Sequence, residues 1–191
     1  MSRLKILKNN QGFTLAELLV AVIIGLLILI TVTTVFSLNQ KILRKSNIKS
    51  ELLQNARIAT DIMTREIRQA KQIVTVLPID NSNLNLVPHE LEFEDGHNVN
   101  QIQYVRYYIN GNQLKRQIKV YYFESDPQIY VYWNDTDAFG SPEQSVIDEK
   151  IIGEYFSEIN FYGQDKIYID LILDKQTEQI KIKSEVKPRN I

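Results

Sequence analysis

The chain has 191 residues, no cysteine, and 22 Lys and Arg against 23 Asp and Glu. Without cysteine it has no disulfide, no thiolate metal site, no cysteine nucleophile and no lipoprotein attachment point. The formal net charge of −1 conceals a division: Asn39 to Leu77 carries eight Lys and Arg against three Asp and Glu, whereas Pro78 to Ile191 carries eleven against nineteen. A basic stalk thus precedes an acidic head, and an acidic head opposes binding to a phosphate backbone.

Residues 1–12 form a short polar leader containing Arg3, Lys5 and Lys8. From Leu18 to Leu38 there is no charged residue, and an uncharged apolar run of that length reads as a transmembrane helix. At about 1.5 Å per residue, residues 13–38 give roughly 39 Å of helix, enough to span a bilayer core with some tilt. The three leader cations place the N-terminus in the cytoplasm and everything after Leu38 outside. Glu17 sits inside the apolar segment, one turn past Phe13. A carboxylate costs about 2.5 to 3.5 kcal/mol near the bilayer centre and less near the interface, so an intramembrane acid points to function. Gly12 precedes the apolar run, whereas a secretory signal peptide places its small-residue cleavage site after the apolar core.

The stretch Gly12-Phe13-Thr14-Leu15-Ala16-Glu17-Leu18-Leu19-Val20-Ala21 resembles the processing site of type IV pilins and of the pseudopilins of related secretion and DNA-uptake systems. The resemblance implies cleavage after Gly12 by a membrane-embedded prepilin peptidase, followed by methylation of the new amine of Phe13. It implies that Glu17 takes part in subunit assembly. It also implies partners: the peptidase and N-methyltransferase, other pilins or pseudopilins, the pilus assembly platform, and membrane lipid. No small-molecule substrate is expected.

Residues 39–77 contain no Gly or Pro and read as an extracytoplasmic continuation of the same helix. Leu52, Ala56, Ala59, Met63, Ala70, Ile73 and Leu77 make a one-sided apolar stripe, interrupted by Glu66 with Ile67 beside it. Arg57, Asp61 and Arg65 have the spacing of i,i+4 ion pairs on an outer face. Pro78 is expected to end the helix. Lys41, Arg44, Lys45 and Lys49 read either as a solvated helix face or as a contact to anionic headgroups before assembly.

Residues 78–191 are expected to form a β-rich globular head. Glu90-Leu91-Glu92-Phe93 alternates and reads as a short strand. Asn110-Gly111 is a hairpin signal. It places Val105, Tyr107 and Ile109 on one face with Leu114, Ile118 and Val120; Lys115, Gln117 and Lys119 then lie opposite Tyr104 and Arg106 on a polar face. Arg116 falls on the apolar side as an exception, with a place at the sheet margin. Residues 124–153 are irregular, with a strand expected near Ile129 to Trp133 and a loop through Asn134 to Asp137 and Gly140 to Pro142. A strand is expected over Ile159 to Tyr162. A last hairpin sets Ile167, Ile169, Leu171 and Leu173 against Ile180, Ile182 and Val186 across a turn near Lys175-Gln176-Thr177. A long N-terminal helix followed only by strands is an α+β pattern, with the amphipathic half of the helix covering an antiparallel sheet. This outline is similar to minor pilins and pseudopilins of the PilW/PulJ type. Thr31, Thr33 and Thr34 stand where many main pilins carry a kinking proline, which favours a minor subunit.

Few residue patterns in the chain suit catalysis, and no enzyme activity is expected. His89 and His97, among Glu90, Glu92, Glu94 and Asp95, match no closed metal motif. Glu124, Asp126, Asp135 and Asp137 offer oxygen ligands of the kind calcium takes but lack EF-hand spacing, so no cofactor is expected. Tyr104, Tyr107, Tyr108, Tyr121, Tyr122, Tyr130, Tyr132 and Trp133 read as cross-strand packing rather than as a nucleic-acid stacking platform. The functional expectation is a structural filament subunit of a pilus, secretion or competence-type system. The alternative is a single-pass anchored binding or sensor module that does not polymerise.

Overall fold

The computed structural model describes residues 14–83, 86–97 and 101–189, so the leader lies outside the described residues. One helix, α1, runs from Leu15 to Gln69, and the chain divides into two compact units after Ser46. Among the described residues nine strands follow: β1 (Gln72–Ile73), β2 (Glu90–Glu94), β3 (Tyr104–Asn110), β4 (Gln113–Phe123), β5 (Asp126–Val131), β6 (Glu143–Glu154), β7 (Phe156–Tyr162), β8 (Ile167–Lys175) and β9 (Glu178–Val186). The arrangement is α+β, a long N-terminal apolar helix whose second half packs on antiparallel sheets, as the sequence implied.

In the second unit, helix residues Ile48, Leu52, Ala56, Ala59, Met63 and Ile67, and Ala70 just past the helix end, are buried at spacings of three and four. They form one core with Leu91, Phe93, Val105, Tyr107 and Leu114 of the first sheet and with Phe156, Ile159, Phe161, Ile169, Leu171 and Leu173 of the second. Small residues at Ala56, Ala59 and Ala70 let the sheets approach the helix axis, while Leu52, Met63 and Ile67 fill the space between. Ile67 fills the place in the stripe that Glu66 interrupts, as its position beside Glu66 implied.

The helix stops at Gln69, eight residues short of the expected end at Leu77. Pro78 was the wrong stop signal. Ile73-Val74-Thr75-Val76 is a β-branched run, stiff at χ1 and better suited to a strand than to a helix. It pairs instead with β2: Lys71 N donates to Glu94 O at 3.1 Å, Val74 N to Glu92 O at 2.9 Å, and Glu92 N to Thr75 Oγ1 at 2.8 Å. Gly96 lies against the last turn, where an added Cβ would sit 1.8 Å from the Gln69 carbonyl oxygen. Ile73 and Leu77 still pack against the core, as chain leaving the helix.

In the first sheet β1, β2, β3 and β4 are successive antiparallel neighbours. The β3–β4 register sets Val105 against Ile118, Tyr107 against Arg116 and Ile109 against Leu114, the face expected from the Asn110-Gly111 turn. Gly111 holds a φ of 64°, which the turn requires. The other edge of β4 pairs with β6 along Gln113 to Tyr122, while β5 joins at Tyr121 to Phe123. Strand β6 was not legible in the sequence. Its register skips Ile147 and Ile152, so two bulges break the period-2 pattern that would have revealed it.

The face expected to be simply polar holds a second, smaller cluster. Lys119 Nζ donates to Glu92 Oε2 at 2.8 Å and Tyr121 OH donates to Glu92 Oε1 at 2.6 Å. The Tyr104 ring is fully buried edge-on to Tyr121, and Trp133 N donates to its hydroxyl at 3.1 Å. Burial is the main reason that the Tyr104 hydroxyl is pushed up to about 12.

Further out, Glu149 accepts hydrogen bonds from Lys115 Nζ at 2.6 Å, from Gln117 Nε2 and from Tyr108 OH at 2.8 Å. These bonds, Lys115 first, hold the Glu149 carboxyl down at about 2. A depressed carboxylate contributes stability above the ordinary glutamate range, near 4.3, and loses it as pH falls toward the folded value. A carbon NMR titration of Glu149 is expected to give a midpoint about 2. Between pH ~4.5 and ~2 the denaturation midpoint of the wild-type head should fall more than that of Glu149→Gln, which has no such proton to gain. A midpoint in the ordinary range would mean that the three bonds do not persist in solution.

The second sheet runs β7-β8-β9. Leu173 faces Ile180, Leu171 faces Ile182 and Ile167 faces Val186, and the hairpin turns through Gln176, whose φ is 56°. Clean alternation made this hairpin legible, because β8 buries one face only.

Candidate functional site

The functional segment begins, among the described residues, at Thr14; Gly12 and Phe13 lie outside them. Helix α1 starts at Leu15, so Thr14 is its N-cap and Glu17 the third helical residue. Glu17 N donates to Thr14 Oγ1 at 3.3 Å; in return Glu17 Oε2 accepts from Thr14 N at 2.9 Å and from Thr14 Oγ1 at 2.9 Å. This is a capping box, in which two otherwise orphaned backbone donors are satisfied reciprocally. The Thr-x-x-Glu spacing was present in the sequence. Treating Glu17 only as an intruder in an apolar run left Thr14 unread. The carboxylate therefore has a partner within its own chain. It also sits at the positive end of the helix, which favours a negative charge.

Glu17 borders a shallow apolar hollow formed by Ala16, Val20, Ala21 and Ile24. The alanines keep the surface low there, so a second helix can approach the carboxylate closely. The apolar residues from Leu18 to Leu38 are all exposed, and the run reaches a mean hydropathy of 3.0 over 18 residues. By length and composition this helix can cross a membrane. Its polar side chains cost little there: Thr31 Oγ1 donates to Leu27 O at 2.7 Å, Thr33 Oγ1 to Ile30 O at 2.9 Å and Thr34 Oγ1 to Ile30 O at 2.8 Å. Back-bonded threonines bend a helix mildly without breaking it.

Of the residues considered for metal chemistry, all but Glu124 and Asp126 are engaged with other groups of the chain. His89 Nδ1 lies 3.1 Å from Ile159 O and His97 Nδ1 2.9 Å from Asp95 Oδ1. Glu90 binds Arg106, Glu92 binds Lys119, and Glu94 binds Lys71. Asp135 caps Tyr132 N, and Asp137 accepts from Phe139 N and Gly140 N. Among the described residues no three histidines or carboxylates converge to hold an ion. The aromatic series divides between the core, where Tyr107 stacks with Phe93 at 6.2 Å, and the outer cluster around Tyr104 and Tyr121.

Two expectations about charged residues are corrected. Arg57, Asp61 and Arg65 are exposed on the outer helix face but form no ion pair among the described residues. Arg116 is not at the sheet margin. Its Nε donates to Glu66 Oε2 at 2.9 Å, and Tyr107 OH donates to the same oxygen. Burial opposes the guanidinium charge, but the bond and charge of Glu66 outweigh it and hold the Arg116 pKa above its ordinary value. The two anomalies of the sequence, an acid in the helix stripe and a base on the apolar sheet face, are partners.

Residues 7–33 match the family model described as the prokaryotic N-terminal methylation motif. No curated protein and no solved structure matches the chain. The match supports a type IV pilin-like protein of the kind that prepilin peptidase processes, and it rests on the leader and first helix rather than on the head.

Proposed function

We propose that the chain is a minor pilin or pseudopilin, a structural subunit of a type IV pilus, type II secretion or competence-type filament. It is inserted with its N-terminus in the cytoplasm, cut after Gly12, methylated on the amine of Phe13, and moved from the membrane into a filament through its N-terminal helix. The observation that carries this reading is Glu17. It is capped by Thr14 at the start of an uncharged helix, beside a hollow that admits a neighbouring helix, within a segment that matches the methylation motif. In the filament the Phe13 ammonium of a neighbouring subunit would give Glu17 a charge-assisted hydrogen bond, which offsets its burial. The back-bonded threonines, in place of a proline, support a minor rather than a main subunit.

Processing is the direct test. The mature chain from native membranes should begin at N-methyl-Phe13 by intact mass. A chain still carrying Met1 in the presence of active peptidase would instead favour an anchored module that never polymerises.

A further inference from the structure

Strands β5 and β6 and their connection form an acidic arm: residues 124–154 carry eight Asp and Glu against a single Lys, Lys150. Four of these carboxyl groups have partners: Asp148 pairs with Lys150 and Glu149 with Lys115, while Asp135 and Asp137 cap backbone amides. The carboxylates of Glu124, Asp126 and Glu143 have no partner among the described residues. Glu124 and Glu143 line a cavity of about 450 Å³ together with Asp137 and the rings of Phe123 and Phe139. Phe139 is 91% exposed, and its loop is fixed by Asp137 Oδ1, which accepts from Phe139 N at 2.7 Å and Gly140 N at 3.0 Å. A loop held this way presents an uncovered aromatic ring beside unpaired carboxylates, a combination that suits a guanidinium group.

The same chain carries the complement. Arg57, Arg65 and Arg68 lie on one outer stripe of α1, all exposed, with Asp61 the one acid among them. None of the three guanidinium groups has an ion-pair partner among the described residues. Arg57 and Arg68 line a groove between α1 and β9 that also exposes Leu53 and Ile182. Acidic lipid headgroups are a poor occupant for the arm on charge alone. Strand addition at β6 is opposed by its two bulges, which disrupt the open edge. Side-chain docking of the arginine stripe remains, and three unpaired cations meet three unpaired anions.

We infer that the acidic β5–β6 arm of one molecule docks on the Arg57–Arg65–Arg68 stripe of a second copy of this chain, with one arginine entering the cavity between Phe123 and Phe139. The two surfaces differ, so the contact is heterologous; such a contact makes a ring where its rotation closes and an open helical assembly where it does not, and the filament reading takes the second case. The inference deepens the filament reading and rests on it.

The absence of native cysteine makes a crosslinking test clean. Full-length Ser141→Cys and Asp61→Cys chains, co-expressed in the native host, are treated with a short bis-maleimide. A crosslinked dimer is expected from the mixture and not from either variant alone. Arg65→Glu should lower its yield about tenfold, with recovery when Glu143→Arg is placed on the partner chain, since close charge pairs couple strongly and reversal of both restores the attraction. A dimer from one variant alone, crosslinks only to a different protein, or indifference to charge reversal would overturn the second-copy contact. Sheared filaments are collected in the same experiment. Processed chain present in filaments without the mixed crosslink sinks the docking proposal and leaves the filament reading intact. Processed chain absent from filaments sinks the reading itself.

Discussion

Replacing Glu66 by alanine will destabilise the head by about 3 to 5 kcal/mol, the cost of leaving one member of a buried ion pair without its partner. The Glu66 and Arg116 side chains are only 14% and 16% exposed, so water does not replace the lost contact. The change also removes the acceptor of the Tyr107 hydroxyl, which is fully buried. For a domain of this size the melting temperature should fall by roughly 2 to 4 °C per kcal/mol. Thermal unfolding of the head from residue 47 onward, followed by circular dichroism, measures the loss. The triple change Glu66→Met, Arg116→Met, Tyr107→Phe removes all the polar atoms at once and keeps similar volume. It should recover most of the stability, because a buried ion pair is often no better than the apolar side chains that replace it. A single Glu66→Ala change that costs less than about 1 kcal/mol would mean that solvent reaches the pair in solution.

This pair also marks where the sequence was readable and where it was not. Period-3.6 burial on α1 and period-2 burial on β8 and β9 follow from single elements, and both were legible. Glu66 and Arg116 are 50 residues apart, so each looked like an error on its own element until the fold brought them together. The end of α1 was misplaced for a related reason. Pro78 is a local signal, but the exit at Gln69 is decided by pairing with β2, more than 20 residues later. Strand β6 escaped because its two bulges reset the alternation twice within twelve residues. At the N-terminus the residues proposed for processing and assembly, Gly12, Phe13 and Glu17, lie within one short stretch, so a candidate site could be read there from sequence alone. Only the Thr14 side of the capping box was missed.

That capping box changes what a Glu17 substitution reports. Glu17→Val removes an ionisable group from an apolar helix, so membrane insertion should be unharmed or slightly improved. It also removes half of the capping box: the Thr14 amide loses its acceptor, while Thr14 Oγ1 still accepts from the amide of residue 17. Failure of the Val variant in assembly would therefore confuse a frayed helix with a missing charge. Glu17→Gln separates the two, since glutamine also closes a capping box but carries no charge. Cleavage after Gly12 should survive in both variants, because the junction is unchanged. Docking beside a neighbour should fail in both, because the neighbour's Phe13 ammonium would enter apolar surroundings without a counter-charge. That loss is about 3 to 5 kcal/mol, enough to lower incorporation by over a hundredfold. Both variants should accumulate in the membrane as processed chain and be absent from sheared filaments, with wild-type chain as the control. If the Gln variant enters filaments normally and the Val variant does not, Glu17 serves to cap its own helix. The assembly contact then lies elsewhere on the segment from Ala16 to Ile24.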